Sequence, residues 1–393
     1  MSIEFIGIAA TQPVSETGGG PAAPSVSSQS EAHAAQGAVI QPAYLRELAL
    51  AHERSGFDRV LVAHSSASPD GFTVADQVLS HTTRLGVLLA HRPGFVSPTL
   101  AARKFATLDA FHPGRVALHV ITGGDDADQA RDGDLSDKPT RYRRTDEFLD
   151  VVRRTWTATE PFDYEGDFYQ VRGGRSAVLP ARPIPVYFGG ASDDAVRAGA
   201  KHADVYAFWG EPLAGIADRI RQVRAAAAVH GRTPNFSVSL RPVPAATETE
   251  AWRRAEDILR LTKERAGALR KAFNLDHSTQ EGSRRLLDVA ARGDVHDKRL
   301  WTAVAKATGA AGNSTALVGS YEQVAESLLD YTRLGVGTLL IRGFSPLEDA
   351  RDYGALVDLV RAETEARGFT GNRVPPVAPA QAGSRDLLGA VGA

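Results

Sequence analysis

Cysteine is absent from the 393 residues. That excludes disulfides, thiolate nucleophiles and cysteine-ligated metals. Net charge is nearly absent too: 45 Lys and Arg stand against 47 Asp and Glu, leaving −2. No global basic field then draws the chain to nucleic acid or to a membrane surface. No apolar run is long enough to span a bilayer. The N-terminus is acidic at Glu4 and lacks the basic lead-in of a signal peptide. The expectation is a soluble, cytoplasmic protein. No turn carries a GxGxxG or Walker fingerprint, and neither HExxH nor GxSxG occurs.

What is present is a large apolar fraction, 43%, arranged in short runs that alternate with helical patterns. Apolar runs at 3–10, 58–63, 84–90, 116–121, 185–188, 204–208, 236–243 and 337–342 read as eight strands. Helices between most of them make this α/β, one (β/α)8 TIM barrel over 1–367. Two additions stand out. A Gly/Pro/Ala/Ser-rich loop at 13–36 follows strand one. An insertion at 249–308 follows strand seven and is rich in Lys and Arg. Those charges are either solvated helix faces or a lid over an anionic ligand. A hairpin at 162–171 turns at Glu165-Gly166, and a Pro/Ala/Gly-rich tail runs from 368 to 393.

The fourth strand, Val116-Ala117-Leu118-His119-Val120-Ile121, organises the chain. His119 interrupts an otherwise apolar run, and Thr122-Gly123-Gly124 follow at the end where parallel barrels bind ligands. It is either a core histidine with a neighbouring partner or a site residue. After strand five, Gly189-Gly190-Ala191-Ser192 leads into a helix. That is either a plain serine N-cap or an anion site on free N–H groups. Arg141-Tyr142 is either a solvated helix start or a phosphate grip. Arg241 near the end of strand seven is either a surface ion pair or an anion clamp.

Gln12, His64, Arg92, His119, Thr122, Ser192, Trp209, Arg241 and Phe344 all fall at strand ends. The set holds no carboxylate pair for glycoside hydrolysis and no metal-ligand spacing. A site without its own nucleophile or metal points to a cofactor, flat and phosphate-bearing.

Six segments in order, RPGFVSPTLAARKFATLD (92–109), GRVALHVITGGD (114–125), RYRRTDEF (141–148), PVYFGGASDDA (185–195), WGEP (209–212) and TALVGS (315–320), resemble the bacterial luciferase-like flavin monooxygenases. The resemblance is closest to their alkanesulfonate monooxygenase branch. It implies a (β/α)8 barrel that takes reduced FMN from a separate NAD(P)H:FMN reductase. Oxygen then adds to give a peroxyflavin, and in this branch the C–S bond breaks to aldehyde and sulfite. A homodimer or homotetramer is implied as well. Residue by residue, the flavin positions fall on Ala63, His64 and His119, where asparagine is more usual. The phosphate positions fall on Arg141, Tyr142, Gly190, Ala191 and Ser192. His64 and His119 would orient or protonate the flavin adduct, and Arg241 would hold substrate.

The substrate half departs from the branch pattern. Ser68 stands for a cysteine and Gln12 for a histidine. Ser239-Leu240-Arg241 replaces Arg-x-His, and Gly343-Phe344-Ser345-Pro346 replaces Gly-Tyr-Pro-His. The loop arginine falls near Thr308. Gln12, Ser68, Trp209, Arg241 and Phe344 are thus the expected substrate set, with alkanesulfonate first. The same chemistry on a sulfone, amine, amide or heterocycle, a deazaflavin-dependent oxidoreductase, and a non-catalytic flavin-binding protein are the rivals.

Overall fold

The computed structural model describes residues 3–13, 40–273, 281–310 and 314–368. Most of the loop expected at 13–36 and all of the tail beyond Gly368 lie outside the described residues.

Eight parallel strands form the barrel, in ring order β1 (Glu4–Ile8), β2 (Arg59–Val62), β3 (Gly86–His91), β4 (Val116–Val120), β7 (Val186–Gly189), β8 (Val205–Trp209), β9 (Asn235–Ala245) and β13 (Val336–Ile341). Two pairings make the ring continuous. β8 joins β9 from Val205↔Asn235 to Trp209↔Ser239, and β13 joins β1 from Glu4↔Thr338 to Ile6↔Leu340. These strands bury both faces, which is why they read as continuous apolar runs; β3, GVLLAH, is buried at all six positions. Alternation divides them. Ile6, Leu61, Leu88, Ala117, Tyr187 and Leu340 meet inside the barrel, while Leu118, Val120 and Phe188 pack outward on the helices.

The helices begin where local chemistry satisfies their free N–H groups. Pro42 opens α1 (Pro42–Arg54) and Pro98 opens α3 (Pro98–Phe111). Asp70 caps α2 (Gly71–His81), accepting from Thr73 N at 2.9 Å. Asp125 caps the short α4 (Asp126–Arg131) and Asp137 caps α5 (Lys138–Thr157). The expected hairpin is β5 (Phe162–Glu165) with β6 (Gln170–Gly174). Ser192 caps α6 (Asp193–His202), and α7 (Leu213–Ala228) follows β8.

At the strand starts a buried polar cluster plugs the barrel. Glu4 accepts from Arg59 Nε at 2.9 Å, Thr338 Oγ1 at 2.8 Å and Tyr187 OH at 2.5 Å. The carboxylate is satisfied three times over, which is what lets it sit in the interior.

β9 is longer than the apolar run suggests. Its first half belongs to the barrel. From Arg241 onward it pairs in parallel with β12 (Ala316–Ser320), outside the ring. The short run Ala316–Ser320, between the insertion and the helix that follows, is therefore a strand of its own. The insertion consists of α8 (Glu248–Phe273), α9 (Glu281–Ala290), the antiparallel pair β10 (Val295–His296) and β11 (Leu300–Trp301), and α10 (Ala303–Thr308). β11 pairs with β12, so the insertion is joined to the barrel through an extension of its sheet. α11 (Tyr321–Arg333), with a Ser320/Gln323 capping box, and α12 (Pro346–Ala366) complete the chain. Among the described residues no helix is long and apolar enough to cross a membrane.

Candidate functional site

A cavity of about 320 Å³ opens at the C-terminal ends of the barrel strands. Its floor is apolar, made by Leu61, Leu88, Ala90, Tyr187 and Leu340. Polar groups stand around the rim, each delivered by a strand end.

On one wall, β2 delivers Ala63, His64 and Ser65, and β4 delivers His119 and Thr122. His119 follows Ala117 on the inward face, so the barrel's alternation sends its ring into the cavity. Burial lowers its pKa from 6.5 to about 4, against a smaller opposing pull from the Tyr187 backbone. Burial and then the nearby Arg92 charge lower that of His64. Both rings are neutral at pH 7. Nε2 of His64 and Nδ1 of His119 are buried with no hydrogen-bond partner. Orphaned ring nitrogens are costly to bury, so two of them lining one cavity mark a place built to meet a polar ligand.

Arg92 braces this wall. Its Nη2 meets Asp128 at 2.5 Å, and Asp128 also accepts from Ser66 N at 3.1 Å and Oγ at 2.6 Å. Burial pushes the Asp128 carboxyl up, but the Ser66 and Arg92 contacts outweigh it and hold it below the usual range.

Next round the ring, β7 ends in a glycine cradle. Gly190 has φ +152°, and a Cβ there would lie 2.4 Å from Ala195 Cβ and 3.1 Å from the Tyr142 hydroxyl. Only glycine fits. The turn's carbonyls are held from behind: Arg219 donates from Nη2 to Gly190 O at 3.0 Å and from Nη1 to Ala191 O at 3.1 Å, and Tyr206 OH adds a third contact at 3.0 Å. The N–H groups at the start of α6 are what the turn has left to offer a ligand. Tyr142 lines the cavity beside the turn, hydrogen-bonded to the Ser192 side chain. Ser192 Oγ accepts from Ala195 N at 3.3 Å, so it acts both as cap and as neighbour of the tyrosine. One helical turn before Tyr142, Lys138 also lines the cavity, and it makes no ion pair or hydrogen bond among the described residues.

The insertion roofs the cavity at Trp209. Gly282 lies against that ring, where a Cβ would come within 2.8 Å. The buried Glu211 pairs with Arg285 of α9, Nε to Oε1 at 2.8 Å with a second contact from Nη2. The remaining wall carries Ser237 and Ser239 from β9 and Arg342 just past β13.

Of the residues expected from sequence, Ala63, His64, His119, Tyr142, Gly190, Ala191 and Trp209 line this one cavity. Ser192 stands directly behind Tyr142. Arg141 points elsewhere: it is 1% exposed and binds Asp126 at 2.6 Å, Gly123 O and Ser136 O, pinning the loop before α5. Arg241 and Phe344 are also behind the wall. β9 leaves the ring after Leu240, so the Arg241 guanidinium lies 4.6 Å over the Phe344 ring and donates to Gly343 O at 2.9 Å. Ser68 sits one layer back, its hydroxyl 2.9 Å from that of Ser65, and Gln12 is half-buried away from the lining. Lys138, Arg219, Glu211 and Arg342 are among the lining residues that the sequence did not single out. A sequence signal exists for Lys138, one turn ahead of Tyr142, and for Arg342, the polar end of an apolar run.

Several known structures share this fold. A riboflavin lyase, RcaE, solved with modified FMN and substrate riboflavin, is 20% identical with a TM-score of 0.71, over 96% of this chain and 95% of that one. The EDTA monooxygenase EmoA from Chelativorans sp. BNC1 is 19% identical with a TM-score of 0.69, over 94% and 95%. An F420-dependent secondary alcohol dehydrogenase is 17% identical with a TM-score of 0.63, over 92% and 100%. At such identities the likeness is one of fold. The sequence match is more specific, for residues 23–338 fit the pattern described as luciferase-like monooxygenase. The chain belongs to the luciferase-like monooxygenase family.

Proposed function

We propose that the cavity binds reduced FMN and that this chain is the oxygenase component of a two-component monooxygenase. The observation that carries the reading is the glycine cradle at Gly190, with Tyr142 and Lys138 beside it and an apolar floor next to it. A flat ring with a phosphate tail needs those two surfaces, joined. The orphaned Nε2 of His64 and Nδ1 of His119 support the fit, because a flavin edge offers both donors and acceptors.

Reduced FMN, delivered by an NAD(P)H:FMN reductase, would supply the electrons with which O2 oxygenates a small organic substrate. The chain's residues do the rest. Lys138, Tyr142 and the N–H groups after Gly190 hold the phosphate. Ala63 leaves room for the ring beside β2. His64 and His119, neutral at pH 7, orient the ring edge and can pass a proton through Nε2 and Nδ1. Trp209 and the insertion keep water from the reacting face. Arg241, packed on Phe344, steadies the turn after β13 and so acts by positioning. Ser68 steadies Ser65 in the same way, and Arg141 steadies the loop that leads into Lys138. Gln12 belongs to the mouth of the barrel near substrate entry.

For the substrate, an alkanesulfonate cleaved to aldehyde and sulfite is the first choice, and a sulfone, amine, amide or heterocycle the second. The working state in this reading is a cytoplasmic homodimer or homotetramer. The test is turnover with reductase-supplied reduced FMN and ¹⁸O₂ across C6–C10 alkanesulfonates and neutral sulfones, following sulfite release and label in the product. Label in product supports the reading. Absence of oxygenation with every compound, or turnover with reduced F420 under anaerobic conditions, overturns it.

A further inference from the structure

We propose that Arg92 and Asp128 are positioning residues that act through His64, holding the turn that carries its ring and setting the charge that the ring faces. The inference rests on the reading of His64 as a residue that meets the flavin edge, and it adds the groups that decide how that ring can bond.

β2 and β3 run side by side from Arg59↔Gly86 to Val62↔Leu89, so the turn after β2 and the end of β3 leave the barrel as neighbours. Leu88, Ala90 and Arg92 all line the cavity, as alternation along β3 requires. His91 between them packs outward, stacked on Phe148. One carboxylate laces the two strand ends together. Asp128 takes Ser66 N and Oγ, two residues beyond His64, on one oxygen, and Arg92 Nη2 on the other. Gln129, wholly buried, meets the rest of the guanidinium. With its amide oxygen turned to the arginine it accepts from Nε at 3.1 Å and from Nη1 at 3.2 Å. Gly123, at φ +93°, brings the loop after β4 onto that amide, where a Cβ would come within 2.3 Å. The Arg92 fork is therefore engaged by α4, and what it offers the cavity is charge.

His64 has charged neighbours on every side of its turn. Arg92 faces it from β3, Asp128 and Asp132 from α4 and its C-terminal cap, and Asp70 from the cap of α2. His64 also acts on His91 across β3, and Lys104 of α3 acts on Asp70 and His91. His119, Asp125 and Lys138 line the same cavity. Burial opposes a proton on the His64 ring and Arg92 adds to it, while the three carboxylates favour one. Two of these, Asp128 and Asp132, lie 2.5 and 3.6 Å from Arg92, so the arginine also cancels part of their pull. Arg92 and Asp128 are 4% and 3% exposed, and charges that dry are poorly screened. The result is a neutral ring whose buried Nε2 still lacks a partner. Neutral imidazole can accept as well as donate, whereas imidazolium only donates. Arg92 thus keeps both roles toward the flavin open to His64.

The test is an NMR titration of the full-length chain without flavin, from pH 8 down to the onset of acid unfolding. Ring Cε1–H signals are followed in wild type, Arg92→Gln, Arg92→Lys and Asp128→Asn, and the His64 signal is the one missing from His64→Gln. Arg92→Gln should move the His64 midpoint to higher pH. Arg92→Lys keeps the charge and should leave the midpoint near that of wild type. Asp128→Asn keeps an acceptor for Ser66 and removes a negative charge, so its midpoint should lie no higher than that of wild type. An unchanged midpoint in Arg92→Gln overturns the proposal. So does an equal rise in Arg92→Lys, which would trace the effect to packing and not to charge. Should Arg92→Gln fail to fold, Asp128→Asn decides: a midpoint above that of wild type sinks the idea. Reduced FMN is titrated into wild type alongside. Absence of binding there would overturn the flavin reading and leave the His64 result standing.

Discussion

Arg219 donates from Nη2 to the carbonyl oxygen of Gly190 at 3.0 Å, from a helix 29 residues away in sequence. This contact sets which way the cradle's peptides face. Arg219 is 5% exposed and holds the Ala191 carbonyl as well. Truncating Arg219→Ala strands the Ala191 carbonyl, leaves the Gly190 carbonyl to Tyr206 OH alone, and frees the turn. The expected cost is about 1–3 kcal/mol of stability and roughly a tenfold loss of reduced-FMN affinity, with Arg219→Lys in between. Urea unfolding and an anaerobic flavin titration check the two parts separately.

Arg285 and Glu211 tie the insertion to the barrel. Glu211 is buried at 7% exposure, so Arg285→Ala leaves a carboxylate that has lost its bidentate partner. The effect belongs first to α9, whose Gly282 rests on Trp209. Amide hydrogen exchange over 281–290 should rise at least tenfold in the variant, while exchange in β2–β4 stays unchanged. Uniform faster exchange across the barrel would show that the pair holds the whole fold and has no local latching role.

The eight barrel strands were legible because a parallel strand buried on both faces is a nearly unbroken apolar run, as GVLLAH is. The cradle was legible for a different reason: a glycine before a serine cap can take the positive-φ turn into a helix that other residues cannot. β12 was hidden. ALVGS is five residues ending beside a helix cap, and its partner is the half of β9 that leaves the barrel. The same departure explains Arg241. Alternation along β9 sets Ser237, Ser239 and Arg241 on one face, but the ring ends at Leu240, so the serines line the cavity and the arginine does not. Lys138 and Arg219 lie on helices, where a cation in sequence looks like any solvated one. Only the packing of α5 and α7 against β7 and β8 turns them inward.

Acid should destabilise the protein through its buried histidines. Burial lowers His52 to about 4, against a weaker opposing hydrogen bond from Leu48 O, and burial lowers His91 to about 3. Both are neutral in the fold, and both would take up a proton near 6.5 once unfolded. The unfolded chain therefore binds more protons below that pH. Stability is fully present above about pH 6.5 and is lost as pH falls toward 3–4, by on the order of 3 kcal/mol for each histidine. His91 stacks on Phe148 with ring centroids 5.5 Å apart, and its Nε2 has no partner. His91→Leu should flatten the slope of urea midpoint against pH between 6.5 and 4. An unchanged slope would show that His91 is not the source.

The central claim is that the cradle at Gly190 holds the phosphate of FMN. Reduced riboflavin carries the same ring without the phosphate, so the most direct measurement is an anaerobic titration of both flavins into wild type and Lys138→Ala/Tyr142→Phe. Wild type should prefer FMN by at least tenfold, the range that follows from one or two charge-assisted hydrogen bonds. In the double variant the preference should shrink toward unity while riboflavin affinity holds. Equal binding of the two flavins by wild type, or a preference for FMN that the double variant keeps in full, would contradict the account.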